Sequence, residues 1–368
     1  MNVFDHLNDI DLQRIEKSGI TRSTLEYFST RIREINHNSL LNRDRIETSG
    51  IPLNEINSSR DNVQSAVQAL KNEQVGLIVL NGGMATRFGG VAKGTVDIDA
   101  DLSFLGAKLL DARRVAQSVG AADPYIFLMC SSATYQPTLS HLNARKHFGY
   151  DPNKIVLFNQ CESIRFTAKG DVFRDGNENP SFYGTGHGDL IYCIREVPQF
   201  QRFAEDGAAL LLSNVDNVLA TLDLHLLSDF LDAKEAVSVE VVDKNIGDVG
   251  GAPLLVDGVA KLIEAFRLPI DFDHEQVTVF NTNTLWIEPA ALLNEAIELP
   301  WHEVRKTVDE QAVIQFERLI GELTHFVDTR FIRVERKGAQ SRFIPVKTPD
   351  DLSKARVEIL ESWRVRQP

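Results

Sequence analysis

The sequence predicts an α/β fold with a mixed, mostly parallel sheet and helices on both faces. Short apolar, β-branched runs recur at VGLIVL (75–80), YIFLMC (125–130), KIVLF (154–158) and ALLLSNVD (209–216). Helix-like stretches separate them, notably LGAKLLDARRVAQSVG and ATYQPTLSHLNARKHFG. Strands alternating with helices from Val75 to Asp216 indicate βαβ units, whose strands run parallel.

Taken in order, residues 1–72 read as a helical segment. Apolar residues recur at helical spacing from Val3 to Ile35, and SSRDNVQSAVQALKNEQ opens with serines suited to capping. VGLIVL reads as a buried strand that ends in the loop NGGMATRFGG. VSVEVV (237–242) is a further strand, and the texture after it is β-rich and turn-rich through DVGGAPLLVDGVAKLIEAF and VTVFNTNTLWI. DEQAVIQFERLIGEL reads as helix; FIRVERKGAQSRFIPVKTPDDL and an amphipathic helix to Trp363 follow. The expected organisation is a helical segment (1–72), a main α/β unit (73–300) and a C-terminal extension (301–368), with no repeat or long linker.

The 368 residues are 43% hydrophobic and 25% charged, ordinary values for a globular chain. No apolar run reaches the roughly eighteen residues of a membrane helix, and the acidic N-terminus resembles no targeting peptide. A net charge of −13 speaks against nucleic acid as a partner, while leaving room for a local phosphate pocket. Cys130, Cys161 and Cys193 lack metal-ligand spacing and read as reduced thiols of a cytoplasmic protein.

Three segments carry chemistry. In Asn81-Gly82-Gly83-Met84-Ala85-Thr86-Arg87, followed by Lys93, glycines let backbone N–H groups approach phosphate oxygens and the lysine adds a compact charge. From the glycines alone, a plain turn closing a βα unit stays open. Ser213-Asn214-Val215-Asp216 sits at the C-terminal end of a strand, where open α/β sheets bind ligands. One carboxylate there suffices for Mg²⁺ completed by substrate phosphates, although a strand-end turn explains the same residues. In Phe182-Tyr183-Gly184-Thr185-Gly186-His187-Gly188-Asp189, three glycines around a histidine suggest backbone pressed against a flat ligand, although a lone histidine is more often structural. Neither the Walker A loop nor G-x-G-x-x-G is present, which sets aside a dinucleotide-dependent dehydrogenase.

Read jointly, eight segments resemble the UDP-glucose pyrophosphorylase (UTP–glucose-1-phosphate uridylyltransferase) family in family order. They are LNGGMATRFGG with its lysine, FLGAKLLDARR, LFNQ, FYGTGHGDLIY, LLSNVDNVLATLD, VFNTNTLWI, AVIQFERLIGEL and SRFIPVKTPDDL. The resemblance implies a Rossmann-like, GT-A-like nucleotidyltransferase that joins UTP to glucose 1-phosphate with Mg²⁺. It further implies that Leu80, Asn81, Gly82, Gly83, Thr86, Gln160 and Gly186 contact the nucleotide. His187, Asn214, Gly251, Glu264, Asn281 and Asn283 would meet the sugar phosphate, Asp216 the metal, and Lys93, Lys347 and Arg87 the reacting phosphates. Gln160 suits uracil because an amide supplies both a donor and an acceptor.

Departures from the family pattern are Ala85, Arg87, Ala92 and the stretch Asp248-Val249-Gly250-Gly251, which lacks the family's lysine; Lys244 is the candidate substitute. They keep open GTP, another sugar or cyclitol 1-phosphate, and an inactive sugar-nucleotide-binding regulator. A monomer or a small homo-oligomer not built by a C-terminal β-helix is expected, with no membrane partner.

Overall fold

A computed structural model describes residues 4, 7–17, 19–33, 40–55, 63–85 and 88–365. The central sheet has eight strands. We number them β1 (Leu53–Glu55), β2 (Val75–Leu80), β3 (Tyr125–Cys130), β4 (Ile155–Asn159), β5 (Ala209–Asn214), β6 (Val237–Asp243), β7 (Val279–Ile287) and β8 (Thr329–Arg333). Their spatial order is β1-β8-β6-β7-β5-β2-β3-β4, and β7 alone runs antiparallel to its neighbours. The mixed, mostly parallel sheet is as expected.

Alternate residues of each buried strand serve opposite faces. Leu77 and Val79 pack beneath helices α3 (Gln64–Lys71), α4 (Phe104–Ser118) and α8 (Leu224–Asp232), whereas Ile78 and Leu80 pack against α6 (Leu190–Arg195) and α7 (Pro198–Asp206). The sheet is thus covered on both sides. Ser103 caps α4 and Ser131 opens α5 (Ser132–Ala144) with a capping box. Among the described residues no helix is long and apolar enough to cross a membrane.

Two helical expectations change. Within 1–72, α1 (Asp9–Lys17), α2 (Arg22–Arg33) and α3 are helices, but Ile46–Glu47 and Leu53–Glu55 are strands that pair with distant partners. The capping serines Ser58 and Ser59 lie outside the described residues, and α3 begins after Val63 without a side-chain cap. DEQAVIQFERLIGEL is not one helix. Gln311–Glu317 is a strand hairpinned to His302–Val308 through Asp309 and Glu310, both at positive φ (48° and 63°). Two left-handed residues make the tight turn whose twist matches a hairpin, which overrides the helical periodicity. Its buried Ile314 and Phe316 pack with Ile15, Leu25 and Phe28 of the first two helices. Residues near both ends of the chain therefore share one satellite core.

Candidate active site

The register of β5 on β2 runs from Ala209–Val75 to Asn214–Leu80, so both strands end level. Past these ends, Val215 N–H donates to Leu80 O (3.2 Å), Asn81 N–H to Met129 O (2.8 Å) and Gln160 N–H to Cys130 O (2.7 Å). The loops after β2, β4 and β5 consequently converge on one cleft of about 690 Å³, bordered by Gly82, Gly83, Lys93, Gln160, His187 and Asp216 among others. β3 and β5 flank β2, so the strand order reverses there, the usual place for a ligand in an open α/β sheet.

On the cleft floor, Lys93 N–H reaches Gly83 O (3.4 Å), which folds the lysine back under the glycine loop. Its Nζ meets Asp216 Oδ2 at 2.5 Å, both side chains being under one-fifth exposed. The other Asp216 oxygen makes no hydrogen bond among the described residues. Leu80 and Asn214 also border the cleft. Asn81 does not: its buried Nδ2 donates to Thr138 Oγ1 (2.8 Å), so its side chain ties the loop to α5.

At one end of the cleft the Gln160 amide is trapped between two glycines. A Cβ on Gly82 would stand 2.5 Å from Oε1, and one on Gly184 1.6 Å from Nε2. The amide makes no hydrogen bond among the described residues, so its donor and acceptor stay available. The other two glycines of this loop press on protein backbone, while Gly184 and Gly186 also border the cleft. Gly186 has φ +93°, and a Cβ there would lie 2.3 Å from Arg318 O; one on Gly188 would lie 2.4 Å from Leu319 N. Gly188 N–H donates to Arg318 O (2.8 Å) and Arg318 N–H to Thr185 O (2.9 Å). Arg318 also pairs with buried Asp189 at 3.0 Å, and burial lifts that carboxyl to about 6. Ile320 N–H donates to His187 Nδ1 (3.1 Å), and burial lowers the imidazole to about 4. His187 is therefore neutral, with Nε2–H to offer.

Asn214, on the cleft border, leads into a relay of hydrogen bonds whose other members, Asn283, Asn281, Gly251 and Glu264, are not themselves among the residues bordering the cleft. Asn283 Nδ2 donates to Asn214 Oδ1 (3.0 Å), Asn283 N–H to Asn281 Oδ1 (2.9 Å) and Asn281 N–H to Gly251 O (2.9 Å). Gly251 backs onto Glu264, whose Oε1 would lie 2.8 Å from a Cβ. Burial, and then the nearby Glu322, raise the Glu264 carboxyl to about 7. The relay depends on a bulge: the β6–β7 register slips after Glu240, and Asn283 sits there at φ +55°.

Several expected residues fall elsewhere. Thr86 and Arg87 lie outside the described residues. Lys347 is exposed and is not among the residues bordering the cleft, although its segment is pinned beside Asp216. Ile344 N–H donates to Asn217 Oδ1 (3.1 Å), and Asn217 Nδ2 to Arg342 O (3.1 Å). Lys244 gives its Nζ to His274 O (2.5 Å) and borders a different cavity. Conversely, Arg14, Arg165 and Lys306 border the cleft unforeseen. The signal for Lys306 was hidden by reading its hairpin partner as helix. A fully buried lysine, Lys108, also went unnoticed: its Nζ donates to Ser213 Oγ (3.0 Å) and Ala220 O (2.6 Å), behind β5, and burial brings it down to about 7.

The family model for UTP–glucose-1-phosphate uridylyltransferase matches residues 22–362. The enzyme of that name from Encephalitozoon cuniculi is 31% identical over 293 residues, covering 76% of this chain and 57% of the relative. That from Solanum tuberosum is 26% identical over 316 residues, covering 79% and 64%. The chain thus spans less than two-thirds of the length of these relatives. A variant UDP-glucose pyrophosphorylase from Leishmania major, in complex with UDP-glucose, superposes with a TM-score of 0.76 at 24% identity, covering 93% of this chain and 77% of that one. The UDP-N-acetylglucosamine pyrophosphorylase from Trypanosoma brucei gives 0.71 at 18%, covering 97% and 83%. The last two show a shared fold; the family model, spanning nearly every residue that builds the cleft, shows descent. This chain belongs to the UTP–glucose-1-phosphate uridylyltransferase family.

Proposed function

We propose that this chain joins a nucleoside triphosphate, UTP, to a sugar 1-phosphate, glucose 1-phosphate, releasing pyrophosphate. The observation that carries the proposal is the Lys93–Asp216 pair in one cleft, which is also bordered by the unsatisfied Gln160 amide and by Asn214, itself bonded to Asn283. Gln160 offers uracil a complementary donor and acceptor. Asn281, Asn283 and Glu264 suit sugar hydroxyls; Glu264, protonated near neutral pH, can donate as well as accept. The glycine loop and Lys93 would hold the triphosphate, and His187 Nε2–H a phosphate or sugar oxygen.

The residues present fit Mg²⁺. No cluster of three or more His, Cys, Asp or Glu stands ready to bind a metal among the described residues. Asp216 keeps one oxygen free, and Mg²⁺ commonly takes one or two carboxylates plus substrate phosphates. Asp216 would hold the ion, which supplies charge neutralisation across the phosphates. The sugar phosphate oxygen attacks the α-phosphorus and pyrophosphate leaves in line. The attacking group is already an anion, so no side chain has to remove a proton. What the protein contributes is alignment and positive charge from Lys93, with Lys347 and Arg87 assigned to the same task by resemblance. Three free cysteines suit a reducing, cytoplasmic setting.

The test is pyrophosphate release by the purified chain against four nucleoside triphosphates and a panel of sugar 1-phosphates, with Mg²⁺. UTP with glucose 1-phosphate is expected to be fastest. A preference for GTP would remove the role given to Gln160, and no release with any pair would end the proposal.

A further inference from the structure

Cys161 directly follows Gln160, and Cys193 lies on α6, the helix that begins just after the His187 loop. Their sulfurs approach to 2.7 Å, closer than unbonded sulfurs rest and a short step from the bonded distance of about 2.05 Å. Both are free thiols. Cys161 is buried; Cys193 is half-buried, and both border a surface cavity of about 680 Å³ between α1 and the body, so a small reagent has a route to the pair. The Cys161 carbonyl accepts from both Thr185 N–H and Thr185 Oγ1 (3.1 Å each), so this cysteine holds the glycine loop from one side while its neighbour Gln160 is wedged between Gly82 and Gly184.

We propose that Cys161 and Cys193 are a reversible dithiol–disulfide pair, and that its closure by a small-molecule disulfide weakens nucleotide binding at the Gln160 end of the cleft. Cys193, the more accessible sulfur, attacks one sulfur of oxidised glutathione as its thiolate; a mixed disulfide forms and one glutathione thiolate leaves. Cys161 then gives up its proton and attacks the Cys193 sulfur, expelling the second glutathione. The pair loses two electrons and two protons, and one glutathione disulfide becomes two thiols. The hydrogen bond from Cys193, together with burial, pushes the Cys161 thiol up, so Cys193 is the sulfur assigned the first attack. Closure draws Cys161 toward α6. Gln160 has no slack to follow, because an amide held against two glycine backbones cannot shift without losing its aim at the base.

The coupling to nucleotide rests on the function proposed above, so the test reads chemistry and binding separately. The full chain is incubated with oxidised glutathione or with dithiothreitol, then examined by intact mass, thiol titration and calorimetric UTP binding. We expect oxidation to remove two hydrogens and two of the three thiols, and to weaken UTP binding roughly tenfold. Dithiothreitol should restore both, and Cys193→Ser or Cys193→Ala should resist oxidation while binding UTP normally. Three titratable thiols after treatment, or a lasting glutathione adduct, overturns the pair; a closed bond with unchanged UTP affinity overturns the coupling. Should the reduced chain bind UTP yet release no pyrophosphate, the catalytic reading falls and the thiol and affinity results still decide this one.

Discussion

Where the Gln160 side of the cleft is backbone packed around a trapped amide, the Asn283 region behind Asn214 is a relay of hydrogen bonds set up by asparagine side chains and carried on a bulge. The first is stiff: Gly186 and Gly188 lie against Arg318 and Leu319, and Arg318 is pinned in turn by Asp189. The second is flanked by loops that leave Ile246, Val249 and Ile270 exposed. Backbone contact has no freedom to retune, whereas a side-chain relay changes by single substitutions. Nucleotide choice should therefore be hard to alter and sugar choice easy.

Substitutions can break or sharpen this contrast. The largest effect is expected at Asp216. Asp216→Ala should cut the rate of pyrophosphate release about a thousandfold with the fold intact, since it removes the carboxylate that pairs with Lys93 in the cleft. Near-normal turnover of folded Asp216→Ala would sink the metal assignment. Next comes Gly184→Ala: its methyl needs the space of Gln160 Nε2, so the UTP KM should rise by about a hundredfold while the sugar phosphate KM barely moves. Equal changes in both constants would mean that the two regions are not independent. Asn283→Gly keeps the positive φ and removes the amide that reaches Asn214; the sugar phosphate KM should rise roughly tenfold, with UTP unaffected.

Glu264→Gln should do least at neutral pH, about a threefold change in sugar phosphate KM, because the amide mimics the protonated acid. Its signature lies in stability. The carboxyl titrates near 7 in the folded chain and at 4.5 in the unfolded one, so the folded state holds the extra proton between these values. Stability contributed here is complete below 4.5 and lost as pH rises through 7. Thermal melts across that window should slope less for Glu264→Gln than for the parent, and identical slopes would contradict the burial of this acid.

The parallel strands were legible in the sequence because each is a short apolar run with a helix on either side, and both faces of the sheet are buried. The glycine loop and Asp216 were legible for a related reason: they follow such strands directly. The strand Gln311–Glu317 was not legible. Its apolar residues suit either period, and the turn at Asp309-Glu310 lacks the glycine that marks most tight hairpins. Lys306 was lost with it, as was the core that α1 and α2 share with this hairpin.

The sequence by itself determined the fold class, the glycine loop and the strand-end position of Asp216, since each is written in a contiguous stretch beside a strand end. Only the tertiary structure decided why the glycines are there, which residues from distant segments enter the cleft, and that Cys161 meets Cys193. Those facts depend on approach between backbones far apart in the chain, and close approach leaves no local pattern: Gly184 looks the same whether it faces a ligand or the Gln160 amide.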